Sequence, residues 1–161
     1  MNEGSLNRSA KHFVDPKSRF KLILSVYLIL IKDGKVLLLR RANTGYEDGK
    51  YGLPSGHADG GETGREATAR EAKEEAGVVV KPDDLKFAHC MHRFQDDERV
   101  DFFFTADRWA GEPRNMEPEK CDDLSWFPLN NLPPNTISYI RQALEAHRDN
   151  VYYSEFQKGS A

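Results

Sequence analysis

Two long apolar runs separated by a short turn constrain the fold of this 161-residue chain more than any other feature. They are FKLILSVYLILI at 20–31 and KVLLLRR at 35–41. Between them lies Asp33-Gly34, a pair typical of the type I′ turn that joins antiparallel strands. Strands that are almost continuously apolar are usually buried on both faces. We therefore expect a β-hairpin inside a sheet whose two sides are covered by helices.

Later segments predict further strands. Residues 85–94 and 100–109 are largely apolar and are split by a polar QDDE, so they predict a second antiparallel pair. A short strand is expected at 124–129. The final segment, at 151–161, has no pattern that favours a particular structure.

Two segments carry helical signals. The first runs from about Glu62 to Ala76 and is followed by Gly77, a residue that suits the left-handed position closing many helices. The second covers 136–147 and places four apolar residues on one stripe: Ile137, Ile140, Ala143 and Leu144. Together with the strands, these helices predict an α/β fold.

Length and charge limit the organisation and the partners of the chain. We expect one domain over 19–161, preceded by a polar and flexible arm at 1–18. The formal net charge of −3 provides no basic face for duplex nucleic acid. The longest apolar run, at 22–31, is shorter than the ~20 residues that cross a bilayer, and no signal-peptide layout precedes it. We therefore expect no membrane contact and a cytoplasmic location.

The first helix carries a cluster of acidic residues. At a helical spacing, Glu71, Glu74 and Glu75 share the side opposite to the small residues that would face the sheet. Glu71 and Glu75 repel each other at i and i+4, and neither has a basic residue three or four positions away. Arg70 lies four residues from both Glu66 and Glu74, so a local charge ladder explains part of the cluster.

This acidic cluster has two interpretations. A solvated acidic face is common on exposed helices. Alternatively, the Gly-rich turn before the helix lets backbone approach a ligand, and the helix N-terminus favours anionic groups. Carboxylates in the next turns offer the hard oxygen ligands that Mg²⁺ takes together with waters and substrate phosphates. The second interpretation predicts a site where a metal and a phosphate meet.

The same residues resemble the Nudix box. Gly56, Glu62 and the run 70–78 reproduce G-x5-E-x7-R-E-U-x-E-E-x-G-U, in which U is a bulky apolar residue. All the fixed positions agree, and only Ala72, at the first U, is small. The chain thus resembles the Nudix hydrolases, in particular the MutT-like branch that cleaves nucleoside triphosphates.

The resemblance implies an α/β/α sandwich around a central mixed sheet, with Mg²⁺ or Mn²⁺ as cofactor. By position in the motif, Glu71 and Glu75 would be metal ligands, and the Gly56 carbonyl would be a backbone ligand. Glu74 would be a third ligand or a carboxylate near the metals. Arg70 would orient Glu71 and Glu74, and these three residues form the expected catalytic group. The general base is Glu71 in some relatives and lies outside the box in others.

A further acidic residue is implied after the box. In the segment RWAGEPRNME, Glu117 resembles a residue of the MutT-like branch that faces the metals. Glu119 or the Asp122-Asp123 pair are alternatives for that role. The resemblance therefore leaves the identity of this outer carboxylate open.

Four residues are candidates for binding the substrate. Arg40 and Arg41 resemble an arginine that approaches the phosphates or the base, although a strand-end charge pair is an equal alternative. Asn135, in LPPNT, resembles an amide that reads the base, and it also suits a helix N-cap. His57 lies in the Gly-rich loop, where it would contact a phosphate or form polar surface.

We therefore predict a metal-dependent hydrolase of a small nucleotide. The favoured reaction converts a (deoxy)nucleoside triphosphate to the monophosphate and pyrophosphate. The alternatives are a nucleotide sugar, a dinucleotide polyphosphate or an oxidised nucleotide as substrate, or a nucleotide-binding sensor without hydrolysis. The resemblance is also compatible with a homodimer.

Overall fold

The computed structural model describes residues 19–159, so the expected arm at 1–18 lies outside the described residues. Within this range the chain forms eight strands and two α-helices. The strands are β1 (Ile23–Lys32), β2 (Lys35–Arg41), β3 (Tyr51–Gly52), β4 (Ser55–His57), β5 (Leu85–Phe94), β6 (Glu98–Ala106), β7 (Cys121–Pro128) and β8 (Tyr153–Gln157). The helices are α1 (Gly64–Ala76), between β4 and β5, and α2 (Ser138–Arg148), between β7 and β8.

The strands form one mixed sheet with β1 near its centre. β1 pairs antiparallel with β2 across the predicted turn, where Ile31 faces Val36, and it pairs parallel with β6 on its other side. The main order is β3-β2-β1-β6-β5-β8, while β4 pairs with β1 and β7 pairs with β2. β5 and β6 are antiparallel, so both predicted hairpins are confirmed.

The two helices cover opposite faces of this sheet. Leu28 and Leu30 of β1 belong to the core cluster that includes Ala72 of α1. The intervening residues Tyr27 and Ile29 belong to the cluster beneath α2, as the two-residue period of a strand requires. The expected α/β/α sandwich is confirmed. The apolar stripe predicted for α2 is buried in the second cluster: Ile137, Ile140, Ala143 and Leu144.

α1 begins at Gly64 rather than at the expected Glu62, because Thr63 caps it. The Thr63 side chain accepts a hydrogen bond from Glu66 N, and the Glu66 side chain accepts one from Thr63 N. Glu66 therefore serves the helix cap and not the expected ladder, whereas the Arg70–Glu74 pair of that ladder does form, at 3.3 Å. No helix in the described part of the chain has the length and apolar character needed to span a membrane.

Strand boundaries also differ from those expected. The strand expected at 100–109 ends at Ala106, and the one expected at 124–129 begins at Cys121, where it pairs with β2. β8 was not expected from the sequence. It is a short edge strand whose side chains alternate between exposed and half-buried, and it is held by parallel pairing with β5, from Cys90↔Tyr153 onward. Such long-range pairing leaves little local signal.

Candidate active site

The acidic helix is held against the Gly-rich loop at a fixed position. β4 pairs antiparallel with the start of β1, with Gly56 opposite Val26, and this pairing brings the loop alongside α1. The cap at Thr63 fixes the first turn of α1. Gly77 closes the helix in the left-handed conformation, with φ of 67°, as predicted. The residues of the Nudix box are thereby gathered in one place.

Gly56 and Glu71 approach so closely that no side chain fits between them. A Cβ added to Gly56 would lie 2.7 Å from Glu71 Oε2 and nearer still to Oε1. The backbone of Gly56 is not left-handed, so glycine is needed here for space and not for conformation. The absence of a Cβ lets the Glu71 carboxylate rest against the loop backbone.

Arg70 connects the acidic residues to one another and to the loop. Its guanidinium donates hydrogen bonds to Glu71 Oε1 at 2.7 Å and to Glu74 Oε2 at 3.3 Å. It also donates to Glu62 Oε1 at 2.6 Å and to the His57 carbonyl at 3.1 Å. The contacts of Arg70 with Glu71 and Glu74 agree with the orienting role that the resemblance implied, whereas the helical spacing rule alone found no basic partner for Glu71. The neutralising charge comes from the adjacent residue, which the i±3 and i±4 rule does not consider.

Glu75 holds a carboxyl group in a shielded position. Its Oε2 accepts a hydrogen bond from Ser55 N at 2.7 Å. Burial raises the pKa of Glu75 to about 8, and the neighbouring carboxylates of Glu71 and Glu117 add to this effect. Burial also raises the pKa of Glu71, against the opposing influence of Arg70. Both carboxyl groups would be stabilised in the charged form by a nearby cation.

Glu117 approaches these two glutamates from the loop that precedes β7. The loop docks on the end of α1, because Met116 N donates to the Glu75 carbonyl at 3.1 Å. After burial, the Glu117 carboxylate is one of the causes that raise the pKa of both Glu71 and Glu75. Its Oε1 accepts a hydrogen bond from Lys120 Nζ at 3.0 Å.

The alternatives to Glu117 have other surroundings. Asp122 forms an ion pair with Arg40 of β2 at 2.7 Å. Asp123 accepts a hydrogen bond from the Tyr51 hydroxyl at 2.6 Å. Glu119 is exposed, and its backbone carbonyl accepts a hydrogen bond from Asn43 at 3.2 Å. Of these acidic residues, Glu117 is the one whose charge contributes to the raised pKa of both half-buried glutamates, Glu71 and Glu75.

The carboxylates suit a hard divalent cation without forming a complete protein cage. Within residues 19–159, no three His, Cys, Asp or Glu side chains already converge as a metal-binding group. Mg²⁺ does not need such a cage, since it usually binds one or two carboxylates, several waters and substrate phosphates. Mn²⁺ has a similar preference for oxygen ligands. The pair of shielded glutamates beside Gly56 fits an ion of this kind.

A cavity of about 360 Å³ opens beside Glu75 and Glu117 and extends to Tyr139 of α2. Its volume falls in the range of pockets for small ligands. Ser55, Gly56 and His57 of β4 form one side. The remaining lining residues are Ser25, Tyr27, Leu39, Arg41, Thr44, Tyr46, Arg99, Lys120 and Cys121. The cavity therefore joins the acidic site to a wall of aromatic and basic side chains.

Two of the four expected substrate contacts line this cavity. Arg41 Nε donates to the Tyr46 carbonyl at 2.8 Å, and the guanidinium lies 5.4 Å from the centre of the Tyr46 ring. His57 Nε2 lies 2.8 Å from Arg99 Nη1. Burial and the Arg99 charge lower the pKa of His57, so its Nε2 accepts this hydrogen bond as a neutral imidazole.

The other two lie outside the cavity lining. Arg40 pairs with Asp122, which matches the strand-end charge pair considered from the sequence. Asn135 Nδ2 donates to the Gly49 carbonyl at 2.8 Å, while the N-cap of α2 is Ile137. Asn135 thus braces the loop at 42–50 that carries Tyr46, and it does not cap the helix.

Several lining residues were not singled out from the sequence. Tyr27 and Tyr139 are almost fully buried; the sequence places Tyr27 within the apolar run of β1, and Tyr139 is not part of the apolar stripe predicted for α2. Arg99, on β6, pairs with Asp97 and reaches His57. What they share is a polar atom at the end of a long side chain; Arg99 and Tyr139 lie near the starts of β6 and α2, whereas Tyr27 lies in the middle of β1. The periodicity of apolar residues predicts only whether such a residue is buried or exposed, and it does not indicate that the residue lines a cavity.

Comparison with known proteins identifies the family to which this arrangement belongs. The NUDIX domain model matches residues 21–147, which is most of the chain. The chain belongs to the Nudix family. The Nudix hydrolase and the fold expected from the box are thereby confirmed, whereas the role of each residue in the site stays a prediction.

Individual relatives agree with the family assignment. The 8-oxo-dGTP diphosphatase of Escherichia coli is 30% identical over 71% of this chain and 89% of its own length. The ADP-ribose pyrophosphatase of Methanocaldococcus jannaschii is 35% identical over 65% of this chain, and the match spans 61% of that protein. The crystal structure of a MutT NUDIX hydrolase from Burkholderia pseudomallei has a TM-score of 0.72 and 29% identity, covering 78% of this chain and 98% of that one.

Proposed function

We propose that this Nudix chain hydrolyses a phosphoanhydride bond of a small nucleotide, and that its substrate is a (deoxy)nucleoside triphosphate cleaved to the monophosphate and pyrophosphate. The observation that carries the proposal is the pair of shielded carboxyl groups, Glu71 and Glu75, beside Gly56 at the edge of the 360 Å³ cavity. Two such acids repel each other, and a dication on a polyphosphate relieves that repulsion.

Glu71, Glu75 and the Gly56 carbonyl would hold a Mg²⁺ or Mn²⁺ ion, with Glu74 and Glu117 as further carboxylates. When bound, such an ion screens the charge of the phosphates and lowers the pKa of a water molecule. Glu117 is engaged by Lys120, and Glu74 is half exposed, so these two are the adaptable members of the set. Phosphate oxygens would complete the coordination that the protein leaves open.

Arg70 would control the protonation and the orientation of the glutamates. Nη1 of its guanidinium donates to both Glu71 and Glu74, while Nη2 donates to Glu62. A carboxylate positioned in this way can accept a proton from the attacking water, a contribution of typically ~10²- to 10⁴-fold. We assign this role to Glu71, since it also contacts the loop at Gly56.

The nucleoside end of the substrate would occupy the cavity. Arg41 lines the cavity, and its charge is among the influences that oppose the raised pKa of Glu75. A guanidinium there suits an α- or β-phosphate. The tyrosines that line the same cavity suit the apolar faces of a base and sugar.

The relatives support the substrate class to different extents. The E. coli 8-oxo-dGTP diphosphatase matches over most of its length, which favours a nucleoside triphosphate and keeps an oxidised nucleotide among the candidates. The M. jannaschii ADP-ribose pyrophosphatase matches at higher identity over a smaller share of its length, which keeps a nucleoside diphosphate sugar as the second candidate. Both substrates contain the phosphoanhydride that the site would attack.

A nucleotide panel tests the proposal. The chain is incubated with Mg²⁺ and the common and 8-oxidised (deoxy)nucleoside triphosphates, ADP-ribose, nucleotide sugars and dinucleotide polyphosphates. We expect nucleoside monophosphate and pyrophosphate from at least one triphosphate. Glu71→Gln should lower that turnover by orders of magnitude, whereas Glu145→Gln, an exposed change on α2, should not. Silence across the panel, with measurable nucleotide binding, would instead indicate a sensor.

A further inference from the structure

A single buried arginine connects the aromatic wall of the cavity. Arg93 of β5 is only 2% exposed and pairs through two nitrogens with Asp101 of β6, which is fully buried. Arg93 Nη2 also donates to the Tyr27 hydroxyl at 3.2 Å. The guanidinium lies 4.0 Å from the centre of the Tyr139 ring, a stacked cation–π contact. Arg93 therefore touches two of the three tyrosines that line the cavity.

The third tyrosine is reached through Gln95. Arg93 Nη1 donates to Gln95 Oε1, and the same oxygen accepts a hydrogen bond from the Tyr46 hydroxyl at 2.9 Å. Tyr46 belongs to the loop at 42–50, which Asp48 stabilises by accepting hydrogen bonds from Thr44 and Gly45. One guanidinium thus ties a loop, two strands and the first turn of α2 together around the cavity.

The energetics of this network favour a role beyond folding stability. A buried ion pair gains little over apolar side chains of the same size, because both charges lose their hydration. The N–H groups of Arg93 also donate hydrogen bonds to Tyr27 and Gln95, and not to Asp101 alone. A satisfied buried network of this kind fixes side-chain positions. The positions that it fixes here are those of the cavity wall.

We propose that Arg93 is a positioning residue that holds Tyr27, Tyr46 and Tyr139 as a rigid slot for a planar nucleobase. This inference rests on the proposed function, since it names how the same cavity would hold the nucleoside end of the substrate. Tyr27 and Tyr139 meet edge to face with ring centres 6.3 Å apart, and Arg41 lies against Tyr46. Tyrosine rings and guanidinium planes are the groups on which bases stack.

Ligand binding tests the slot without requiring hydrolysis. The affinities of GMP, AMP and ribose 5-phosphate are measured by calorimetry with Mg²⁺ for the parent and for Arg93→Lys. Lysine keeps a charge for Asp101 and loses the fork that reaches Tyr27 and Gln95. We expect the parent to bind one or both nucleotides about 10-fold more tightly than ribose 5-phosphate, as stacking on aromatic rings predicts. The variant should retain only about a 2-fold preference.

The matched control is Arg148→Lys, at the exposed end of α2, where Arg148 pairs with Asp149. It should keep the preference of the parent for a nucleotide. In steady-state kinetics on a nucleotide that is hydrolysed, Arg93→Lys should raise KM about 5-fold and leave kcat within 2-fold. A role in stability alone would lower the amount of folded enzyme, and therefore the apparent kcat, without this selective change in KM.

Tyr46→Phe provides a test that does not disturb the buried ion pair. It keeps the ring and removes only the hydroxyl that binds Gln95, and we expect it to lower the preference for a nucleotide about 3-fold. This variant decides the question if Arg93→Lys does not fold. Full preference in either folded variant, or no preference in the parent, overturns the positioning role. If the variants lower the preference for a nucleotide as expected but no nucleotide of the panel is hydrolysed, the proposed hydrolysis is contradicted and the positioning role of Arg93 is supported.

Discussion

Replacing Gly56 with alanine separates the position of the Glu71 carboxylate from the stability of the fold. The added Cβ would lie 2.7 Å from Glu71 Oε2 and closer to Oε1, whereas ordinary contact begins at 3.4 Å. The backbone conformation at Gly56 accepts alanine, and the obstructing atoms are the end of a flexible side chain. The carboxylate will therefore move, and the loop will not.

The expected magnitudes follow from that geometry. Relief of the contact requires the carboxylate to retreat by about 1 Å, and a displacement of this size can cost ~10²-fold in turnover. The free energy of unfolding should change by less than about 1 kcal/mol, because alanine also restricts the unfolded chain at this position. Gly56→Ala should thus be a folded protein with turnover about 100-fold below that of the parent.

The assay pairs urea unfolding with turnover on the best nucleotide of the panel. Gly60→Ala is the matched control, since Gly60 lies in the same loop, is not left-handed and has open space where a Cβ would be. Gly60→Ala should change turnover by less than about 2-fold and the free energy of unfolding by less than about 1 kcal/mol. Full turnover of a folded Gly56→Ala, or equal losses in both variants, would refute the reasoning.

Three further predictions concern α1. Glu75→Gln should raise the free energy of unfolding of the metal-free protein at pH 7 by about 3 kcal/mol. Burial raises the pKa of Glu75 from 4.5 to about 8, so the glutamate must take up a proton on folding at this pH, a cost that glutamine does not carry. A carboxyl group with a raised pKa makes the folded protein less stable as pH rises from 4.5 to 8. In thermal unfolding, the stability gained by Glu75→Gln should therefore vanish near pH 4. A gain that is the same at every pH would contradict this cause. Thr63→Ala should cost about 1 kcal/mol in urea unfolding through loss of the reciprocal cap; no loss would be inconsistent with the cap. Gly77→Ala should cost about 1 kcal/mol in the same assay, because φ is 67° there and the side chains of Arg114 and Met116 lie 3.2 Å from an added Cβ; an unchanged midpoint would count against this strain.

The sequence determined the central part of the fold because local signals and burial agreed there. The Asp33-Gly34 turn and the continuous apolar runs around it specified the hairpin, and the apolar stripe of α2 specified the second covering layer. The sequence did not predict β8, because the position of this strand is set by pairing with β5, over 60 residues away in the chain. Local pattern carries no information on such a partner.

The candidate site, too, could be predicted from the sequence only in part. The box placed Glu71, Glu74 and Glu75 on one helix and implied that Arg70 would contact Glu71 and Glu74, but it did not indicate that Ser55 N would bind Glu75. The cavity wall was even less accessible to sequence reasoning. Arg93 and Asp101 look like ordinary strand charges, and only the register of β5 against β6 brings them together in the core.

Metal binding in the presence of a nucleotide tests the central claim most directly. Mn²⁺ is titrated by calorimetry into the parent and into Glu75→Gln, each with a non-cleavable nucleoside triphosphate analogue. We predict Mn²⁺ uptake by the parent that tightens when the analogue is present, and at least a ~10-fold weaker uptake by the variant, as the loss of one charged ligand requires. No uptake by the parent, or equal uptake by both proteins, would contradict the view that these glutamates bind a dication on a polyphosphate.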